Sequence, residues 1–180
     1  MLERLGPEMI IPERPVLKPN FEVYIPLRRE QADISLIAKQ AKEEGYREQT
    51  SPHVTIISTA EKAVKEWLAE DSIHSVAEIE QIISRYEWSF KPKGIFHLGT
   101  EFHEVEGVTE NRESYIQVLD MPDIESFFSD INTLLGTELP VQFPHITLFT
   151  RGERPEPAYY GIPIPSQEEF LRMNPIEIKN

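Results

Sequence analysis

Two short segments hold the residue types that could do chemistry. Ser51-Pro52-His53-Val54-Thr55-Ile56 and Phe143-Pro144-His145-Ile146-Thr147-Leu148 both run Pro-His-apolar-Thr-apolar. Side chains alternate along a strand, so His53 and Thr55 share one face while Val54 and Ile56 take the other. The same holds for His145 and Thr147 against Ile146 and Leu148. Each strand thus carries an imidazole and a hydroxyl side by side over an apolar reverse face. At average composition a given His is followed by apolar-Thr-apolar roughly once in a hundred times. The pattern occurs twice among the five histidines of this chain. The bland alternative, two half-buried strands that happen to hold His and Thr on their polar faces, needs that coincidence twice. Two imidazoles titrating near neutrality can hold opposite protonation states, one taking a proton while the other gives one. Hydroxyl donors can stabilise the negative charge that grows on phosphoryl oxygens in a transition state. In-line displacement at a phosphorus, with one group taking a proton and another giving one, can use these parts.

The elements that must position these residues are legible in outline. Residues 21–27 read as a strand and 31–44 as a helix with Ile34, Ile37, Ala38 and Ala41 on one face, stopped at Gly45. A strand follows at 53–57. Capping-box patterns at Ser58/Glu61 and Ser75/Glu78 predict helices over 60–69 and 76–86. Residues 94–98, 101–105 and 114–119 read as strands. The spacing of Ile124, Phe127, Phe128, Ile131 and Leu135 predicts a helix over 123–135 that stops at Gly136, before a last strand at 145–149. Strand, helix, glycine and His-containing strand therefore occur twice. Tyr24-Ile25 matches Tyr115-Ile116, and Gly45 matches Gly136, at an offset of 91; His53 matches His145 at 92.

On these two motifs, and on the order strand, helix, motif strand in each half, residues 20–150 resemble the two-histidine (2H) phosphoesterase superfamily. Its members include cyclic phosphodiesterases, RNA-end processing enzymes and proteins once named 2′-5′ RNA ligases. The expected fold is α+β: two pseudo-symmetric lobes, each a small mainly antiparallel sheet with outer helices, around one central cleft. The resemblance implies His53 and His145 as general acid and base, Thr55 and Thr147 as phosphate binders, and no cofactor or metal. The expected activity is metal-independent hydrolysis of a 2′,3′-cyclic phosphate, or of a related cyclic-nucleotide or RNA-end phosphodiester. The substrate partner would be a small nucleotide or an RNA 3′ end. An RNA-end ligase of the same family and a non-catalytic nucleotide- or RNA-end-binding module are the alternatives. Many members carry a basic residue five positions after the second His; here that position is Thr150, with Arg151 one further on.

Arg151 is the leading cation for a phosphate, and Tyr24, Tyr115 and Phe149 are aromatics near the motif strands that could contact substrate. Tyr159-Tyr160 are candidates for a lid, and Arg28-Arg29 for an RNA backbone. His74, His97 and His103 are expected in structural or surface roles. Metal motifs are absent from the sequence, as is a Gly-x-Ser-x-Gly elbow. Gly94 and Gly99 have P-loop spacing, but Thr100 stands where lysine is required.

The chain has 180 residues, a net charge of −13 and no cysteine. That excludes disulfides, thiolate metal sites and cysteine nucleophiles, and it argues against gripping long duplex nucleic acid. No apolar run approaches the length of a membrane span. The start does not read as a secretory leader, so a cytoplasmic protein is expected. Four prolines within 1–19 predict an extended arm; a body over 20–151 follows, and five prolines within 152–180 mark a tail packed on it.

Overall fold

In the computed structural model, residues 9–32, 34–58, 75–105, 108–153 and 161–179 are described. The strands are β1 (Val16–Leu17), β2 (Val23–Pro26), β3 (Arg47–Glu48), β4 (His53–Ile57), β5 (Lys91–Val105), β6 (Val108–Asp120), β7 (His145–Gly152) and β8 (Ile176–Ile178). The helices are α1 (Ala38–Glu43), α2 (Ser75–Ile83), α3 (Ile124–Leu135) and α4 (Gln167–Arg172), with a 3-10 turn at Arg29–Gln31.

The fold is α+β. Its strands form one antiparallel sheet in the order β1-β2-β4-β7-β6-β5-β8, with β3 also on β7. Two small sheets were expected; instead the two motif strands β4 and β7 are neighbours, joined where Val54 faces Ile146. Each motif strand meets its outer neighbour in the same way. Val23, Tyr24, Ile25 and Pro26 face Ile57, Thr55, Val54 and His53. Tyr115, Ile116, Gln117 and Val118 face Phe149, Thr147, Ile146 and His145. Every corresponding pair differs by 92 in residue number, and both ladders skip one residue at the same point, Ile56 and Leu148. The Tyr-Ile match at 91 is therefore one residue out of step: Tyr24 corresponds to Ile116. Only the helix-ending glycines keep the 91 offset, so one residue is lost before the second glycine and regained after it.

One face of the sheet packs on helices. Ala41, Ile79, Ile83, Phe127, Phe128 and Ile131 join Val23, Ile25, Val54, Ile56, Ile146 and Leu148 in the main core. The apolar residues of α3 recur at helical spacing, and Gly136 ends it in the left-handed region at φ 62°. The helix expected over 31–44 is shorter because Ala32 is extended (φ −104°, ψ 111°), after Gln31 Oε1 accepts from the Arg28 N–H at 2.8 Å. The strands expected at 94–98 and 101–105 are one strand, β5, with two breaks in register. The helix expected over 60–69 lies outside the described residues.

The opposite face carries a second, smaller cluster. Leu98 and Ile116 pack with Ile162, Ile164 and Phe170 from the C-terminal segment, flanked by Phe96, Val118 and Phe143. Alternation in Ile162-Pro163-Ile164-Pro165 turns both isoleucines to the sheet. Ser166 then caps α4 by accepting from the Glu169 N–H at 3.2 Å, and β8 closes the sheet edge against β5.

Candidate active site

The two imidazoles are held by the same local device. Nδ1 of His53 lies 3.1 Å from the Ser51 carbonyl, and Nδ1 of His145 lies 2.8 Å from the Phe143 carbonyl. A carbonyl only accepts, so Nδ1 is the protonated nitrogen in both rings, and in a neutral ring Nε2 is left as the free acceptor. The intervening prolines, fixed in φ, are tied to the outer strands: Leu27 N–H donates to Pro52 O and Leu119 N–H to Pro144 O, each at 3.0 Å.

The pairing of Val54 with Ile146 puts His53 across from Thr147 and Thr55 across from His145, all on the face away from the helices. Side chains directly opposite in such a pair have Cβ atoms about 5 Å apart, and diagonal neighbours about 7–8 Å. The two imidazoles occupy one diagonal and the two hydroxyls the other. The four side chains thus share one patch of the sheet face.

Beyond the backbone the two imidazoles keep different company. Tyr24 lies edge-on to His53, ring centroids 5.7 Å apart, and Lys18 Nζ sits 4.8 Å over the Tyr24 ring while paired to Glu22 at 2.9 Å. His145 is stacked on Phe143 at 6.3 Å and 27°, and Phe143 on Phe170 at 4.4 Å and 16°. Burial pushes the His145 imidazole down to about 4, with the nearby His53 charge adding to the fall and the Phe143 carbonyl opposing it.

Tyr24 is the one expected substrate-contacting residue that the fold brings to this face. Phe149 is fully buried and Tyr115 nearly so, both in the helix-side core. Arg151 is with them. Its guanidinium bonds the Glu113 carboxylate (2.8 Å from Nε) and the Glu44 carbonyl (2.8 Å), and it lies 4.5 Å over the Tyr46 ring. The skipped Leu148 is the reason: past it, the β7 side chains exchange faces, so Phe149 and Arg151 follow Tyr115 and Glu113 instead of His145 and Thr147. His97 belongs to this second network, 2.9 Å from the Tyr46 hydroxyl and 3.6 Å from Glu113. Burial and the surrounding carboxylates push the Tyr46 and Tyr115 phenols up, and Glu113 above all holds Arg151 charged. The network ties the end of α1 to β6 and β7. Thr150 is buried, its hydroxyl 3.1 Å from that of Ser114. Arg28 and Arg29 pair with Glu30 and Glu48. His74, Tyr159 and Tyr160 lie outside the described residues; His103 lies in β5.

Sequence reasoning missed Phe143, Phe170 and Gly161. A Cβ built on Gly161 would stand 2.3 Å from Thr147 Oγ1, so the C-terminal backbone passes directly against the second motif. The visible signal was the asymmetry of the motifs themselves, Ser51 in one and Phe143 in the other. Among the described residues, no three His, Asp or Glu side chains gather as a metal-binding group.

No protein-family model, curated protein or solved structure matches the chain.

Proposed function

We propose that this chain is a metal-independent phosphodiesterase of the two-histidine type that opens 2′,3′-cyclic phosphates of nucleotides or RNA ends. The observation that carries this reading is the placing of His53, Thr55, His145 and Thr147 on one sheet face with both Nδ1 atoms bonded to carbonyls. The constant 92-residue correspondence supports treating the two halves as pseudo-symmetric lobes facing one site.

In this reaction Nε2 of one neutral imidazole takes a proton from water. The water oxygen forms a bond to phosphorus on the side opposite the leaving ribose oxygen. The P–O bond to that oxygen breaks, and its electron pair takes a proton from Nε2–H of the other imidazole, which is charged at the start. Thr55 and Thr147 donate to the non-bridging oxygens as their charge rises. The net charge of −13 favours a nucleotide or a short RNA end over a long duplex. No described helix is long and apolar enough to cross a membrane, and the cytoplasm is the compartment this reading assigns.

Turnover of a 2′,3′-cyclic mononucleotide in excess EDTA, with the product identified as a 2′- or 3′-phosphate, tests the reading. Hydrolysis that survives EDTA supports it. Activity lost with EDTA points to a metal enzyme, and saturable binding without turnover to a binding module.

A further inference from the structure

The two halves share a strand register, but the described C-terminal residues 161–172 pack on one of the two flanking ladders, that of the second half. Ile162 and Ile164 pack on Ile116, the cross-strand neighbour of Thr147. Gln142, two residues before Pro144, donates to the Ile164 carbonyl at 2.7 Å, a buried bond that clamps the segment beside the second motif. Gly161 touches the Thr147 side chain, and Phe170 of α4 backs Phe143, which backs His145. In the first half the corresponding positions are Tyr24 beside Thr55 and Ser51 before Pro52, with neither ring column nor strap among the described residues.

We propose that the C-terminal segment 161–172 is a working part of the site, with Gly161 and Phe170 as positioning residues that close the second half around His145 and make it the proton acceptor. This rests on the phosphodiesterase reading above. An imidazole stacked on one side by the Phe143–Phe170 column loses part of its hydration, and the charged form loses most. A ring held neutral accepts a proton and has none to give. The closed side suits the small nucleophile, water. The side around His53 and Tyr24, on which residues 161–172 do not pack, suits the bulkier nucleoside leaving group, with Lys18 over the Tyr24 ring beside it. The groups that face His145 from the elements packed on it are few. Among the described residues, His53 on β4 is the titratable one, Val118 on β6 and Phe143 are apolar, and Arg172 of α4 pairs with both Glu168 and Glu169.

The test is an NMR titration of both histidine rings, run beside the pH–rate profile, in wild type, Phe170→Ala, Phe170→Leu and Gly161→Ala. Phe170→Ala should raise the His145 midpoint by about one unit or more, as hydration returns. The acid limb of kcat/KM should rise with it. Phe170→Leu keeps the apolar backing and should leave both near wild type, which guards against a variant that fails to fold. Gly161→Ala displaces Thr147 and should lower kcat for the cyclic phosphate, on the order of tenfold, while leaving the His145 midpoint near wild type. A His145 midpoint unmoved in folded Phe170→Ala overturns the proposal, as does an acid limb that follows His53 instead. If wild type turns over no cyclic phosphate, the phosphodiesterase reading falls by itself, and the ring titration still decides whether the segment controls His145.

Discussion

The half built around His53 and the half built around His145 follow one backbone plan with different surroundings. Both hold the ring through a carbonyl two residues back, both tie the intervening proline to an outer strand at 3.0 Å, and both skip one residue just past the threonine. Yet Tyr24 stands beside Thr55 where Ile116 stands beside Thr147, and Ser51 precedes one motif where Phe143 precedes the other. Repeated backbone geometry supplies two equivalent ring tautomers. It does not by itself set the proton affinity of His145, which its burial lowers. Two strands of matching register can thus hold their imidazoles in different surroundings.

The largest effect should come from removing either ring. His53→Ala or His145→Ala should each lower turnover by roughly two to four orders of magnitude, since each removes one partner in proton transfer. Near-normal turnover by either folded variant would break the pairing of the halves. A second effect separates them. The folded protein holds His145 at about 4, below its ordinary value of 6.5. As pH falls from about 6.5 toward 4, the unfolded chain binds a proton that the folded chain refuses, and stability drops by on the order of 3 kcal/mol. Urea unfolding of wild type and His145→Gln across that window should show the gap between them changing with pH. A constant gap would mean that His145 is not held neutral.

A smaller loss is expected at the hydroxyls. Thr55→Val and Thr147→Val keep the shape and remove one donor each, so turnover should fall about tenfold to a few hundredfold. The sharper form of the comparison is whether the two losses match, which tests whether both hydroxyls meet the same phosphate. The smallest effect checks the shared backbone. Gly45 (φ 83°) and Gly136 (φ 62°) end corresponding helices, and a Cβ at either would meet nothing within 4 Å. Gly45→Ala and Gly136→Ala should each cost about 1–2 kcal/mol from backbone strain alone, measured by thermal or urea unfolding. A clear inequality would show that the two helix ends are not equivalent.

Much of the fold is legible in the sequence alone. The strand at 53–57, the helix under Ile124 to Leu135 and both glycine stops follow from local patterns, because alternation, helical spacing and left-handed caps are properties of a few neighbouring residues. The shared face of each His and Thr follows in the same way. The length of α1 did not, since one bond from the Arg28 N–H to Gln31 interrupts an otherwise helical pattern. The fate of Arg151 did not either: it depends on the skipped Leu148, which exists only in the pairing of β7 with β6.

The sequence by itself determined that two equivalent strands each present an imidazole and a hydroxyl, because side-chain parity is set by the chain's own geometry. Only the tertiary structure decided that these strands lie side by side, paired at Val54 and Ile146, so that four side chains meet on one face. It also decided that the Pro-rich C-terminal segment lies on the second half, and that Arg151 is held across the sheet from both histidines. Register, bulges and the packing of distant segments depend on residues far apart in sequence. Burial follows from that packing, and with it the lowered proton affinity of His145.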